Sequence, residues 1–294
     1  MEKIINQIGL ESIESTKKIH KGFSNDEKYI INQRYLLRIF PNENIDERQR
    51  EFAVINKCSK LSRFVPKAFE FGEMEGRGYM LLEFLPGEDG EDALGKLSEE
   101  EQYQAGYQAG VELRKLHQIE APENHDWFSV KKAKTERYFN RLTDVTFDES
   151  LKDMLKNYIK RHEHLMKGRP STLQHDDFHP ANLLIHQKKF VGIIDFQRVD
   201  FGDPLYDLHK LGFFSKPISI PFTRGNIAGY FHNDIPQSFW DLYGLYSAMH
   251  VVSAVVWGEQ FDAKQAQFLR DRAMEVIVDH DYFKLAQPIW AEGL

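Results

Sequence analysis

The sequence predicts an α+β fold of two lobes: a small antiparallel β-sheet carrying one helix, then a larger, mainly helical part built around a central β-hairpin. Three observations predict it. Short β-prone runs broken by turn compositions dominate residues 1–85, apolar residues recur at helical intervals through residues 86–294, and that helical pattern is interrupted once, by "STLQHDDFHPANLLIHQKKFVGIID".

The elements follow in order. "TKKIHKGFSNDEKYIINQRYLLRIF" gives three antiparallel strands, with turns at "GFSND" and "NQ". Ile45, Phe52, Ile55 and Leu61 then recur at roughly helical spacing, and "VPKAFEFGEMEGRGYMLLEFLPG" reads as a hairpin turned at "EGRG". The acidic, Gly-rich "PGEDGED" is a linker, with a hinge at about 83–90 between lobes 1–85 and 86–294. Ser98 followed by Glu101 is a capping-box signature that opens a helix through Leu116. Further helices are expected near 130–142 and 149–166, the second stopped by Gly168 and Pro170. Three β-prone runs, "TLQH", "NLLIH" and "KFVGIIDF", come next. "GDPLYDLHKLGFF", "PQSFWDLYGLYSAMHVVSAVVWG" and "AKQAQFLRDRAMEVIVDH" return to helix.

Composition narrows the function classes. A 294-residue chain with 41% hydrophobic and 28% charged residues is long enough for a large core. Its net charge of -7 argues against general nucleic-acid binding, which needs a basic surface. No apolar stretch approaches a membrane span and no leader pattern opens the chain, so a cytoplasmic location is expected. The single cysteine, Cys58, excludes an internal disulfide framework and reads as a packing residue.

The chemistry concentrates in "HDDFH". His175 and His179 have the four-residue spacing of zinc-binding helices, but Pro180 disfavours helix there and β-prone runs flank the loop. A charged surface turn would account for His175 and Asp176. It leaves unexplained Asp177 followed by Asn182 five positions on, and by Asp195 at the end of "FVGIID". That order suits phosphoryl transfer: one aspartate accepts the proton of an attacking hydroxyl, while an asparagine and a second aspartate hold a magnesium ion. "LLIHQKKFVGII" can form the hairpin that returns Asp195 beside Asn182.

"HDDFHPAN" and "IIDFQRVDFGDPLYDL" resemble the paired motifs of the aminoglycoside phosphotransferase family, antibiotic kinases with a protein-kinase-like fold. The resemblance extends over nearly the whole chain. It implies Asp177 as catalytic base and Asn182 and Asp195 as magnesium ligands, with Asp176 standing where the family usually has glycine. Only "FQRVDF" separates Asp195 from Gly202, too little for the activation segment that holds a peptide, so a small-molecule acceptor is expected. The resemblance further places Ser24 and Asn25 in the phosphate-covering turn, Arg38 where the family has a β3 lysine, and Glu51, with Glu47 one turn earlier as the alternative, as its helix partner. The purine of ATP or GTP would bond to the Glu83 carbonyl and the Leu85 amide.

For the acceptor, the acids beyond Gly225 outnumber the bases, which would suit a polycationic aminoglycoside. The aromatics between Phe239 and Trp257 read as core but could line a site for a macrolide. Metabolic kinases of the choline, homoserine, thiosugar or fructosamine type are the alternatives, and outside enzymes a nucleotide-binding pseudokinase module. Gly202, Asp203 and Asp207 read as a tight turn and a carboxylate bracing the loop.

Overall fold

The structure, a computed structural model, describes residues 2–10, 12–21, 26–123 and 125–294. A short helix, α1 (Glu2–Ile8), precedes strands β1 (Thr16–Ile19), β2 (Glu27–Ile31) and β3 (Tyr35–Pro41). Helix α2 (Ile45–Cys58) and the hairpin β4 (Ala68–Met74) and β5 (Arg77–Glu83) complete an antiparallel sheet in the order β1-β2-β3-β5-β4. Strand alternation gives this sheet two apolar faces. Ile31, Leu37, Ile39, Tyr79 and Leu81 meet Ile4 and Ile5 of α1, while Phe40, Met80 and Leu82 belong with Ile55 and Cys58 of α2 to the main core. The seven-residue α1 was not foreseen, because only Ile4, Ile5 and Ile8 carry its periodicity.

The expected linker is structured. Within "PGEDGED", β6 (Glu88–Asp89) pairs with a later strand and leads into the single turn α3 (Gly90–Ala93), capped by Asp89. Lys21 bridges to Asp89 and Asp92, tying the end of β1 to this turn. Glu88, Asp89 and Asp92 of the expected linker are thus used in pairing.

The larger lobe contains α4 (Glu99–Leu116), α5 (Trp127–Leu142) and α6 (Glu149–His162). The capping box forms at α4, with Glu101 N–H donating to Ser98 Oγ at 3.3 Å and Ser98 N–H to Glu101 Oε2 at 2.9 Å. Strand β7 (Thr172–Gln174) is followed by the hairpin β8 (Leu183–His186) and β9 (Lys189–Ile193), then by β10 (Asp200–Gly202), which returns to β7. "GDPLYDLHKLGFF" does not form the expected α-helix: it makes a 3-10 segment over Pro204–His209 and a π segment over Leu211–Ser215. Asp203 explains the start, since it caps Leu205 N–H while also holding Arg169 and the Tyr246 hydroxyl. The chain closes with α7 (Ile220–Phe231), α8 (Gln237–Gly258) and α9 (Ala263–Asp279). Helix α8 is buried along most of its length: Phe239, Trp240, Tyr243 and Tyr246 are core, while Trp257 near its end is exposed. Among the described residues no helix is long and apolar enough to cross a membrane.

Helix α7 was missed, because Pro221, Gly225 and Gly229 lower helix propensity. The glycines have a packing reason. A Cβ on Gly106 or Gly110 of α4 would lie 2.0 Å from the carbonyl of Phe222 or Asn226, and one on Gly229 of α7 would lie 1.9 Å from the Tyr107 carbonyl. The two helices therefore touch backbone to backbone. Gly229→Ala should cost about 3 kcal/mol or more, read as a lower midpoint in urea unfolding.

Lys131 carries the opposite sign. Its ammonium is buried 3.3 Å from the centre of the Tyr206 ring, with no hydrogen-bond or ion-pair partner among the described residues. Burial, with some help from Lys134, pushes it down to about 7. Between that value and 10.5 the unfolded chain binds the extra proton, so this group makes the fold less stable as pH falls from 10.5 toward 7. Lys131→Met should therefore raise unfolding free energy by roughly 3–5 kcal/mol near neutrality, with the gain shrinking near pH 10. Urea unfolding of both proteins at the two pH values checks it.

Candidate active site

The loop between β7 and β8 is held from below by one carboxylate. Asp207 accepts the His175 N–H at 2.6 Å and the Asp176 N–H at 2.8 Å, and lies 3.0 Å from His117 Nε2, whose other nitrogen is 2.8 Å from the Tyr230 hydroxyl. Burial would raise the Asp207 carboxyl, but His117, His175 and the backbone N–H bonds outweigh it and hold it below the usual range. Asp207 thus braces the loop. His175 pins it from the side through Nε2, 3.1 Å from the Ile194 carbonyl, and packs on Phe196 with ring centroids 4.9 Å apart. Asp176 takes the left-handed conformation, φ 53°, which a glycine would adopt without a Cβ penalty. The departure from glycine is accommodated with the turn intact.

These constraints present Asp177. Asn182 Nδ2 donates to its main-chain oxygen at 2.9 Å and to Oδ2 at 3.1 Å. His179 Nε2 lies 3.4 Å from Oδ1, Lys210 Nζ 3.6 Å from the same oxygen, and Arg198 Nε 4.0 Å from Oδ2. Burial acts to raise this carboxyl, yet the His179 hydrogen bond and the charges of Lys210, His179 and Arg198 hold it well below the usual carboxylate range. Asp177 is an ionised acceptor, partly exposed at the site.

The β8–β9 hairpin brings the third residue round. Leu183 pairs with Ile193, and Ile194 N–H donates to the Asn182 carbonyl at 3.0 Å, which sets Asp195 beside Asn182. Asp195 is exposed, adopts φ 65°, and has no hydrogen-bond or ion-pair partner among the described residues. Asn182 directs its amide nitrogen at Asp177, so its Oδ1 is left without a donor from the described residues. An unpartnered carboxylate and an amide oxygen side by side suit a hard cation such as magnesium, whose remaining ligands would be water and phosphate. Among the described residues there is no group of three or more histidine, cysteine, aspartate or glutamate side chains arranged for a metal. His175 and His179 are engaged separately, His179 stacking on Phe214 at 5.0 Å.

Across the cleft, Arg38 donates from Nη1 to Glu51 Oε1 at 2.6 Å, so Glu51 is its helix partner. A second carboxylate was not foreseen: Asp26 takes Arg38 Nε at 2.9 Å and Nη2 at 2.5 Å, and Arg48 joins both acids at 2.5 and 2.9 Å. Two cations and two anions are buried together with no net charge. Asp26 and Arg48 could have been suspected only from their nearness in sequence to the turn and to Glu51. Ser24 and Asn25 lie outside the described residues. At the edge of β5, Glu83 N–H donates to Lys67 and Phe84 N–H to Arg34, both at 2.8 Å, whereas Leu85 N–H donates to no described residue.

The side toward the later helices is cationic and aromatic. Lys210 sits 5.7 Å from the Phe214 ring centre, Arg198 lies 5.7 Å from that of Trp257, and His250 faces Phe214 at 5.8 Å. Five of the nine acids beyond Gly225 are engaged elsewhere. Glu259 pairs with Arg270, Glu275 with Arg272, Asp279 with Lys216 and Asp281 with Lys284, while Asp262 caps α9. Lys210 and Arg198 were missed, since nothing in their spacing signals approach to Asp177.

A family model described as the phosphotransferase enzyme family matches residues 15–240. Comparison with curated proteins gives no match. Among solved structures, a point mutant of aminoglycoside 2'-phosphotransferase-IIIa in its GDP complex is similar, with a TM-score of 0.71 and 19% identity over 97% of each chain. A gentamicin complex of APH(2")-IIa gives 0.65 and 18% over 94% of this chain and 96% of that one. A thermostable APH(4)-Ia with AMP-PNP and hygromycin B gives 0.67 and 17%, over 95% and 98%. At these identities the likeness establishes the two-lobed, kinase-like α+β fold.

Proposed function

The chain belongs to the phosphotransferase enzyme family, and on that premise we propose that it transfers the γ-phosphate of ATP or GTP to a hydroxyl of a small molecule, with Asp177 as the base. The observation that carries this reading is the convergence of Asp177, Asn182 and the unpartnered Asp195 at one corner of the cleft. Asp177 receives the acceptor's proton on an oxygen that faces the cleft, and His179, Lys210 and Arg198 keep that carboxylate ionised until then. Asn182, bonded to Asp177, fixes the direction of the base. Asn182 and Asp195 would hold magnesium, which when bound draws charge from the phosphate oxygens. Glu51 and Asp26 fix Arg38, which ties β3 to α2 in the nucleotide lobe. The purine would meet the Glu83 carbonyl and the free Leu85 N–H. Direct in-line transfer needs no covalent enzyme intermediate.

Aminoglycosides are the acceptor class supported by family resemblance, and gentamicin and hygromycin B occupy two of the similar structures. A second reading, an acceptor with an apolar face and fewer positive charges than an aminoglycoside, such as a macrolide or a metabolic alcohol, is favoured by Lys210 and Arg198 beside Asp177 and by the rings of Phe214 and Trp257. Nucleotide consumption with magnesium, measured for ATP and GTP against aminoglycosides, macrolides and small hydroxyl metabolites, separates the two. Consumption with none of them, despite nucleotide binding, would favour a nucleotide-binding module instead.

A further inference from the structure

The sheet face that carries Arg38 holds a further cation outside the Arg38 cluster. Lys28 of β2 is directly cross-strand from Arg38 of β3, so its side chain leaves the same face of the sheet. That face carries Phe40, Met80 and Leu82, which share a core with Ile55 and Cys58 of α2. Lys28 is half-buried and has no hydrogen-bond or ion-pair partner among the described residues. Burial and the Arg38 charge act to lower its ammonium, while Asp195 of the proposed magnesium corner and Asp26 act to raise it, so Asp195 is near enough to be felt. Its neighbour is differently occupied. Three of the five Arg38 N–H donors point at Asp26 and Glu51, and Arg48 completes a neutral quartet. Among the described residues of this sheet face, a triphosphate entering between the lobes therefore meets a balanced cluster and the Lys28 ammonium, which no acid pairs directly.

We propose that Lys28 is the phosphate-binding cation of this enzyme, contacting the terminal phosphates of the nucleotide, while Arg38 acts as a positioning residue that locks β3 to α2. The assignment rests on the kinase reading above, because it needs a nucleotide in the cleft. It also explains how arginine can stand at the β3 position: fixed by two acids, it serves the architecture, and the flexible ammonium from the adjacent strand serves the ligand.

Isothermal titration of the full chain with ATP, GTP, adenosine and guanosine tests it. Lys28→Met keeps the stem and removes the charge; it should weaken triphosphate binding by about 10- to 100-fold and leave nucleoside binding within twofold of wild type. Lys28→Arg should recover most of the lost triphosphate affinity. Equal triphosphate affinity in Lys28→Met and wild type would overturn the assignment, and so would a parallel loss of nucleoside affinity, which marks a distorted cleft. A wild-type chain that bound none of the four ligands would overturn the kinase reading itself, and Lys28's role with it.

Discussion

Asp207→Ala is expected to unfold the catalytic loop or the whole large lobe, at a cost of about 3–5 kcal/mol. Asp207 is fully buried, and its removal leaves the N–H groups of His175 and Asp176 and the His117 ring without an acceptor. Each buried donor left unmatched costs on the order of 1–3 kcal/mol, and a small apolar side chain also leaves a void. Asp207→Asn separates the charge from the shape: one amide oxygen can still accept, but its NH2 group would face a backbone N–H, so an intermediate loss is expected. The pH dependence follows from the direction of the shift. The folded carboxyl is held below its ordinary value, so its contribution is complete above the ordinary carboxylate range and is lost as pH falls through the folded value. Urea unfolding of the wild type and both variants at neutral and acid pH checks the order wild type, Asn, Ala, and the narrowing of the gap between wild type and Asn in acid.

Asp177→Asn should leave the fold intact and remove turnover. The substitution keeps the shape and the Asn182 contact to the main-chain oxygen, but removes the carboxylate that His179, Lys210 and Arg198 hold ionised. A positioned base is worth about 10²- to 10⁴-fold, and kcat should fall by that amount while nucleotide affinity stays within a few-fold of wild type. A variant with unreduced kcat would remove Asp177 from the chemistry.

What was legible in the sequence was what lies close along the chain. The strands, the capping box at Ser98 and Glu101, and the hairpin that returns Asp195 to Asn182 are local patterns, with period and turn chemistry that survive folding. The bracing by Asp207 was also readable, because it follows the loop in a recognisable run. Other features depend on how separate elements meet. Lys210 reaches Asp177 only because Asp203 bends the chain into a 3-10 and then a π segment. Helix α7 looked broken because its glycines answer to α4, not to helix propensity. The acids counted toward a cationic acceptor proved to be largely paired or capping, which charge totals cannot reveal.

The central claim is that a nucleotide's γ-phosphate moves to a hydroxyl at Asp177. Its most direct measurement follows a γ-phosphate label from ATP or GTP during incubation with magnesium and the acceptor panel, comparing wild type with Asp177→Asn. The account predicts label in a phosphomonoester of at least one acceptor with wild type, and a loss of about 10²-fold or more with the variant. Label that stays on the nucleotide with every hydroxyl acceptor, or that reaches acceptor equally well without the Asp177 carboxylate, would contradict it.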